Sequence, residues 1–298
     1  MKKLFTLITC TTILLFSCSK EDEPRIQEPP SSNGPQLIFK FTFDSTLARL
    51  DNFGNPSTIP VGNSAQSPQF KLLGAHSIEF APDSLTQLGM GEIVYFSPLT
   101  SIGGPQAVDF DQVPKVADGE EFYRMPLANV APGIYKWARV ALTYQNYDIN
   151  YLSAGNMYTG RLASFVDDIT YITNYTINTQ TLPIYANKLQ GYWGFETIVL
   201  GTPYVFEGQA AGTTVPNPIA TTSPIPSNSC VVTGRFSTNF TITGNETSDI
   251  TVTFNLSTNN SFEWKDLNGD GLYEPSDGVN PGDTVVDMGL RGLFPTWN

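Results

Sequence analysis

The chain has 298 residues, with 28 acids against 16 Lys and Arg and a net charge of −12. Nucleic acid and anionic lipid both need basic side chains to neutralise phosphate, so this balance argues against either as a natural partner. Three cysteines are present; Cys10 and Cys18 precede the body, which holds only Cys230 and so has no partner for an internal disulfide.

Residues 1–17 read as a secretory signal peptide. Lys2 and Lys3 precede a mostly apolar run from Leu4 to Phe16. That run is shorter than the ~20 apolar residues a membrane-spanning helix needs. Leu15-Phe16-Ser17-Cys18 resembles the lipobox of bacterial lipoproteins, which implies cleavage before Cys18 and acyl chains on it. Several acyl chains anchor stably where one binds marginally. Lys20-Glu21-Asp22 then resembles the export signal that sends Bacteroidota lipoproteins to the outer face of the outer membrane. Residues 18–36, rich in Pro, Ser and Asn, read as a lipidated, disordered tether.

Residues 37–200 read as a β-sandwich body. Phe39, Phe41 and Phe43 alternate with polar residues, the period-2 signature of a half-buried strand. Ser77-Ile78-Glu79-Phe80 repeats the pattern, and Ala138, Val140, Leu142 and Tyr144 share one face of a longer run. The 25 Gly and 22 Pro punctuate strand-like segments, and helical periodicity is scarce. The expected fold class is therefore all-β, an antiparallel sandwich, as one large domain or two that pack tightly.

The order FKFTFD, LLGAHSIEFAP, LANVAPGIYKWARVAL resembles the MbnP-like lipoprotein domains of Bacteroidota over roughly residues 37–145. This resemblance implies a β-sandwich on a lipoprotein tether. No set of copper ligands matches, so no copper site is carried over.

His76 is the only histidine. One His cannot complete a zinc site, and no GxSxG elbow accompanies it, so it reads as a structural residue. The pairs Asp109/Asp111 and Asp167/Asp168 read as solvated turn acids. YQNYDINY and LQGYWGFE interleave rings with amides, the composition of sugar- and peptide-binding surfaces. Tyr147, Tyr192 and Trp193 are the candidate ligand-binding residues there.

Residues 201–228 are rich in Thr, Pro and Gly and read as a loop or linker. Cys230 beside Val231 and Val232 reads as a small buried hydrophobe. In residues 229–298, two alternating runs, Val232–Ile242 and Ile250–Leu256, flank the polar turn GNETS. They read as a β-hairpin.

DLNGDGLYEPSD follows at residues 266–277. It resembles the EF-hand or dockerin-like calcium loop, which takes oxygens from positions 1, 3, 5, 7, 9 and 12 and needs Gly at 6. Those positions are Asp266, Asn268, Asp270, the Leu272 carbonyl, Glu274 and Asp277, with Gly271 sixth. Asp277 is shorter than the usual Glu, and Pro275 argues against flanking helices. The expected cofactor is a structural Ca²⁺.

These readings converge on a non-catalytic, calcium-stabilised binding or adhesion module, anchored in the outer membrane through Cys18 and taking a glycan or protein ligand. The alternatives are a carboxylate-based glycoside hydrolase, which needs only two suitably spaced acids, and a purely structural envelope protein.

Overall fold

The computed structural model describes residues 34–51, 54–210, 229–276 and 281–298. The signal peptide and Cys18 lie outside them. The described chain is all-β, with two short 3₁₀ turns at Phe110–Gln112 and Leu127–Asn129. The strands in chain order begin with β1 (Gln36–Asp44), β2 (Asn63–Gln66), β3 (Gln69–Ala81), β4 (Glu92–Phe96), β5 (Leu99–Thr100) and β6 (Ala107–Asp109). Next come β7 (Lys115–Val116), β8 (Glu121–Pro126), β9 (Gly133–Ser153), β10 (Asn156–Phe165), β11 (Ile169–Thr176) and β12 (Thr181–Leu189). The rest are β13 (Tyr192–Val199), β14 (Thr202–Gln209), β15 (Cys230–Ile242), β16 (Ile250–Ser257), β17 (Phe262–Lys265), β18 (Thr284–Met288) and β19 (Leu293–Trp297).

The largest sheet runs β14-β13-β10-β9-β3-β4, with β15 added beside β9 and β7 beside β3. A four-stranded sheet, β19-β16-β1-β8, packs against it. Between them lies the main core. Phe39, Phe41, Val252 and Phe254 come from the smaller sheet, and Phe80, Val140, Phe236 and Phe240 from the larger. Phe39 and Phe254 stack with centroids 5.9 Å apart and planes 3° apart. Each such side chain, fully buried, contributes ~1.5–3 kcal/mol. Most pairings are antiparallel; β1–β16 and β6–β11 are parallel.

Beyond this core, β9 and β10 are covered on both faces and β13 on the face that carries Tyr192. Tyr144, Phe165 and Tyr192 pack with Ile172 and Tyr175 of the β12-β11-β6-β5 sheet. Tyr147, Ile149 and Leu162 pack with Phe262, Trp264 and Met288 of the β18-β17-β2 sheet. β9 is 21 residues long and follows a path of about 70 Å at ~3.3 Å per residue.

Two sequence expectations need correction. The runs 232–242 and 250–256 do not pair as a hairpin. β15 pairs with β9, and β16 pairs with β1 and β19. The connection is an arch between two sheets, so Phe240 and Ile242 share a core with Val252 and Phe254. Alternation reports that one face is buried, and here each strand buries its face toward the other. The expected linker 201–228 also begins with a strand: Thr202–Gln209 pairs fully with β13. Pro203 is tolerated because it sits at the start of an edge strand. Residues 211–228 lie outside the described residues.

Candidate functional site

The acidic loop leaves β17 after Lys265 and returns at β18. Asp266 accepts from Gly269 N–H at 2.7 Å, Gly271 N–H at 2.9 Å and the Ser64 hydroxyl at 2.8 Å. Burial alone would raise its pKa, but these donors outweigh burial and hold the carboxyl below its ordinary value. Asn268 Oδ1 accepts from Asp270 N–H at 3.1 Å, and Asp270 Oδ1 from Leu272 N–H at 2.8 Å. First, third and fifth positions thus fold the backbone around themselves.

Asp270 Oδ2 and Glu274 Oε2 converge on the Asn268 amide nitrogen at 3.1 and 2.8 Å. The Asn268 NH2 thus bridges the two carboxylates, and its oxygen is already engaged by Asp270 N–H; Asp270 and Glu274 supply the carboxylate oxygens that a hard cation such as Ca²⁺ takes. Asp277 lies outside the described residues. Among the described residues no three His, Cys, Asp or Glu side chains are gathered at metal-holding distance. The set here is two carboxylates and one amide.

Asp283 is not among the positions the calcium-loop template selects. Its carboxylate accepts from Leu267 N–H at 3.0 Å and Glu274 N–H at 2.9 Å, and its own N–H donates to the Glu274 carbonyl at 2.7 Å. It closes the loop from outside the twelve-residue template, so no template spacing identifies it.

The loop is tied to the body through Tyr273. Leu152 N–H, near the end of β9, donates to the Tyr273 carbonyl at 2.7 Å. The Tyr273 ring stands edge-on to Phe262 at 5.1 Å and lies 5.5 Å from Trp264. Burial, with the nearby Asp283 charge, pushes its hydroxyl up to about 12.

The three aromatic candidates separate. Tyr147 is fully buried, and its hydroxyl donates to the Met288 carbonyl at 3.0 Å. Tyr192 is buried against Phe165 and Tyr175, with its hydroxyl on Glu207. Neither presents a ring to a ligand, because each ring is packed inside a buried cluster. Trp193 is half-buried on the opposite face from Tyr192. Directly paired residues project to the same face. Trp193, Phe195 and Thr197 therefore share a face with Gly208, Phe206 and Tyr204.

On that face the rings lie over glycines. A Cβ on Gly208 would sit 2.7 Å from Trp193 Cζ2, and one on Gly160 would sit 2.0 Å from Phe195 Cζ. Phe206 and Tyr204 continue the row, 55% and 49% exposed. Tyr151, stacked on Tyr158 at 5.6 Å, meets Phe195 edge-on at 5.6 Å. No charged side chain stands among Trp193, Phe195, Thr197, Tyr204, Phe206 and Gly208.

Two buried polar clusters lie elsewhere. His76 Nδ1 is 2.8 Å from Asp167 Oδ2 but lacks hydrogen-bond alignment. Asp167 accepts from Thr143, Ser229 and the Asp168 amide. It is buried, not the solvated turn acid expected. The adjoining cavity, about 90 Å³, includes His76, Gln106 and Asp168 in its lining. Asp109 does cap its turn, accepting from Asp111 N–H at 3.2 Å. The second cluster holds Glu263 between Arg49 and Arg291, with Arg291 also 2.8 Å from Asp287. Burial raises Asp287 to about 6 despite that arginine.

The thiol of Cys230 is pushed up to about 12 by burial and nearby acids, which makes it a poor nucleophile. No protein-family model, curated protein or solved structure matches this chain.

Proposed function

We propose that this chain is a lipid-anchored envelope protein that displays a calcium-stabilised, non-catalytic binding face for neutral glycans. The observation that carries the reading is the row Trp193, Phe195, Phe206 and Tyr204. Its inner rings lie over Gly208 and Gly160, its outer rings are exposed, and it bears no charge. Aromatic rings offer large, rigid, weakly polar area at low entropic cost. The apolar faces of pyranose rings match that surface, and sugar hydroxyls can reach the Tyr204 and Tyr158 hydroxyls at its margin. An uncharged row in so acidic a chain favours a neutral sugar over a charged peptide.

The acidic loop enters this reading as a shape element. It fixes Tyr273 against the end of β9, beside the Tyr151–Tyr158 stack that supports Phe195. A bound Ca²⁺ supplies charge that holds mutually repelling carboxylates together.

The test is binding of the chain from residue 19 onward to an array of neutral oligosaccharides, in calcium and in chelator. One glycan class is expected to bind, with Trp193→Ala or Phe206→Ala weakening it about tenfold, the equivalent of ~1.4 kcal/mol. Absence of binding to any glycan refutes the reading, and release of new reducing ends would replace it with a hydrolase. Surface display is tested separately, because protease added to intact cells should remove the protein.

A further inference from the structure

We infer that the flank running from Leu85 to Ile102 rests on the lipid bilayer, so that the protein lies against its membrane. This rests on the lipid anchor at Cys18. From Ser84 to Val108 the only charged side chain is Glu92, and Glu92 Oε1 accepts from Ala131 N–H at 3.2 Å. Along the same flank Leu85 is 90% exposed, Met90 65% and Ile102 73%; Ile93, Phe96 and Leu99 are also exposed. Scattered apolar residues are ordinary on a protein surface, whereas a run of them along one flank, with Glu92 inside it and the carboxylates of Asp83 and Asp168 at its borders, marks a contact.

The apolar tips are held out by buried groups. Glu79, 1% exposed, accepts from Gly89 N–H at 2.9 Å and Gly91 N–H at 2.6 Å. Arg139 donates to the Thr86 carbonyl at 2.6 Å. Leu88 turns inward beside Ala141. The 82–91 loop is therefore pinned in a conformation that leaves Leu85 and Met90 in solvent. It leads into β4, an edge strand of the large sheet.

The chain between anchor and body selects the occupant. Residues 18–33 lead to Pro35, whose carbonyl accepts from Leu127 N–H at 2.9 Å. Leu127 opens the short turn that precedes Ala131, the donor to Glu92 at the start of β4. The flank thus begins beside the point where the chain joins the body. The sixteen residue steps from Cys18 to Gly34 reach at most about 55 Å, which lets the flank touch the surface that holds the acyl chains. The lack of Lys and Arg along it suits zwitterionic lipid and gives no attraction to anionic lipid.

The experiment uses the full lipidated chain in phosphatidylcholine vesicles carrying nitroxide-labelled lipid. Leu85→Cys, Ile102→Cys and, at the opposite end, Met157→Cys are each labelled with bimane in a Cys230→Ala background. Nitroxide should quench the label at positions 85 and 102 at least twofold and leave that at 157 unchanged. Co-flotation with vesicles without quenching at 85 and 102 overturns the contact while keeping the anchor. Equal quenching at all three positions overturns the orientation. A blue-shifted label without nitroxide quenching puts a second protein copy on the flank and also overturns the lipid contact. Failure to co-float overturns the anchor, and the contact with it.

Discussion

The Leu152 amide donates to the Tyr273 carbonyl at 2.7 Å, and through this bond the acidic loop grips the end of the longest strand. The loop's state should therefore be felt in the body. If the loop takes Ca²⁺ as proposed, the ion at about a hundred times its Kd should add ~2.7 kcal/mol, equivalent to a rise in Tm of roughly 5–8 °C for a body of this size. Asp270→Asn and Glu274→Gln should each abolish most of that rise in a calcium titration followed by calorimetry. A Tm indifferent to both calcium and chelator would remove the ion from the account.

Gly234 tests the arch. A Cβ there would sit 2.1 Å from the Leu293 carbonyl oxygen and 2.7 Å from Pro295 Cδ. Backbone atoms cannot yield cheaply, so Gly234→Ala should cost about 1–3 kcal/mol, read as a lower urea midpoint at unchanged slope. A hairpin of residues 232–256 would leave this position indifferent to a methyl group.

Glu263 sits between two guanidiniums with little access to water. Burial, followed by repulsion from Arg291, lowers the Arg49 pKa. Removing the carboxylate charge leaves Arg49 buried without its ionic partner. Glu263→Gln is expected to lose about 3–5 kcal/mol, and chemical denaturation compared with wild type measures it. A change within experimental error would show that the cluster contributes nothing net.

Asp287 gives a pH signature with a definite sign. Its folded pKa is raised from 3.8 to about 6, so the native state holds its proton more tightly than the unfolded chain does. The stabilisation is complete below about 3.8 and is lost as pH rises through about 6. Asp287→Asn should flatten this part of the stability profile between pH 4 and 7. A profile unchanged by the substitution would assign the slope to another group.

Alternation made the strands themselves readable: Phe39, Phe41, Ala138, Val140 and Leu142 all point into the core as their spacing implies. Pairing was less readable, because a period of two says that a face is covered and not by which strand. Thr, Pro and Gly around residue 203 concealed β14, although Tyr204 and Phe206 already alternated with Val205. In the acidic loop, local spacing identified the side chains that fold back on neighbouring amides. Asp283 arrives from beyond the template and has no such spacing. Amides beside Tyr147 suggested a wet surface. In a strand covered on both faces they instead become internal partners: Asn146 Nδ2 donates to Tyr144 Oη at 3.1 Å and the Ile177 carbonyl at 2.9 Å.

The parallel pairing of β1 with β16 has a kinetic consequence. Thr42 and Asn255, 213 positions apart, share a hydrogen bond at 2.8 Å. As the chain is made, β1 meets β8 early, but its other edge stays open until nearly the last residue is available. Contacts of such long range close slowly. A late step should therefore limit folding, with Phe39 and Phe41 exposed on one side until β16 docks, and loss of the final strands should leave one edge of the first strand open while β8 holds the other.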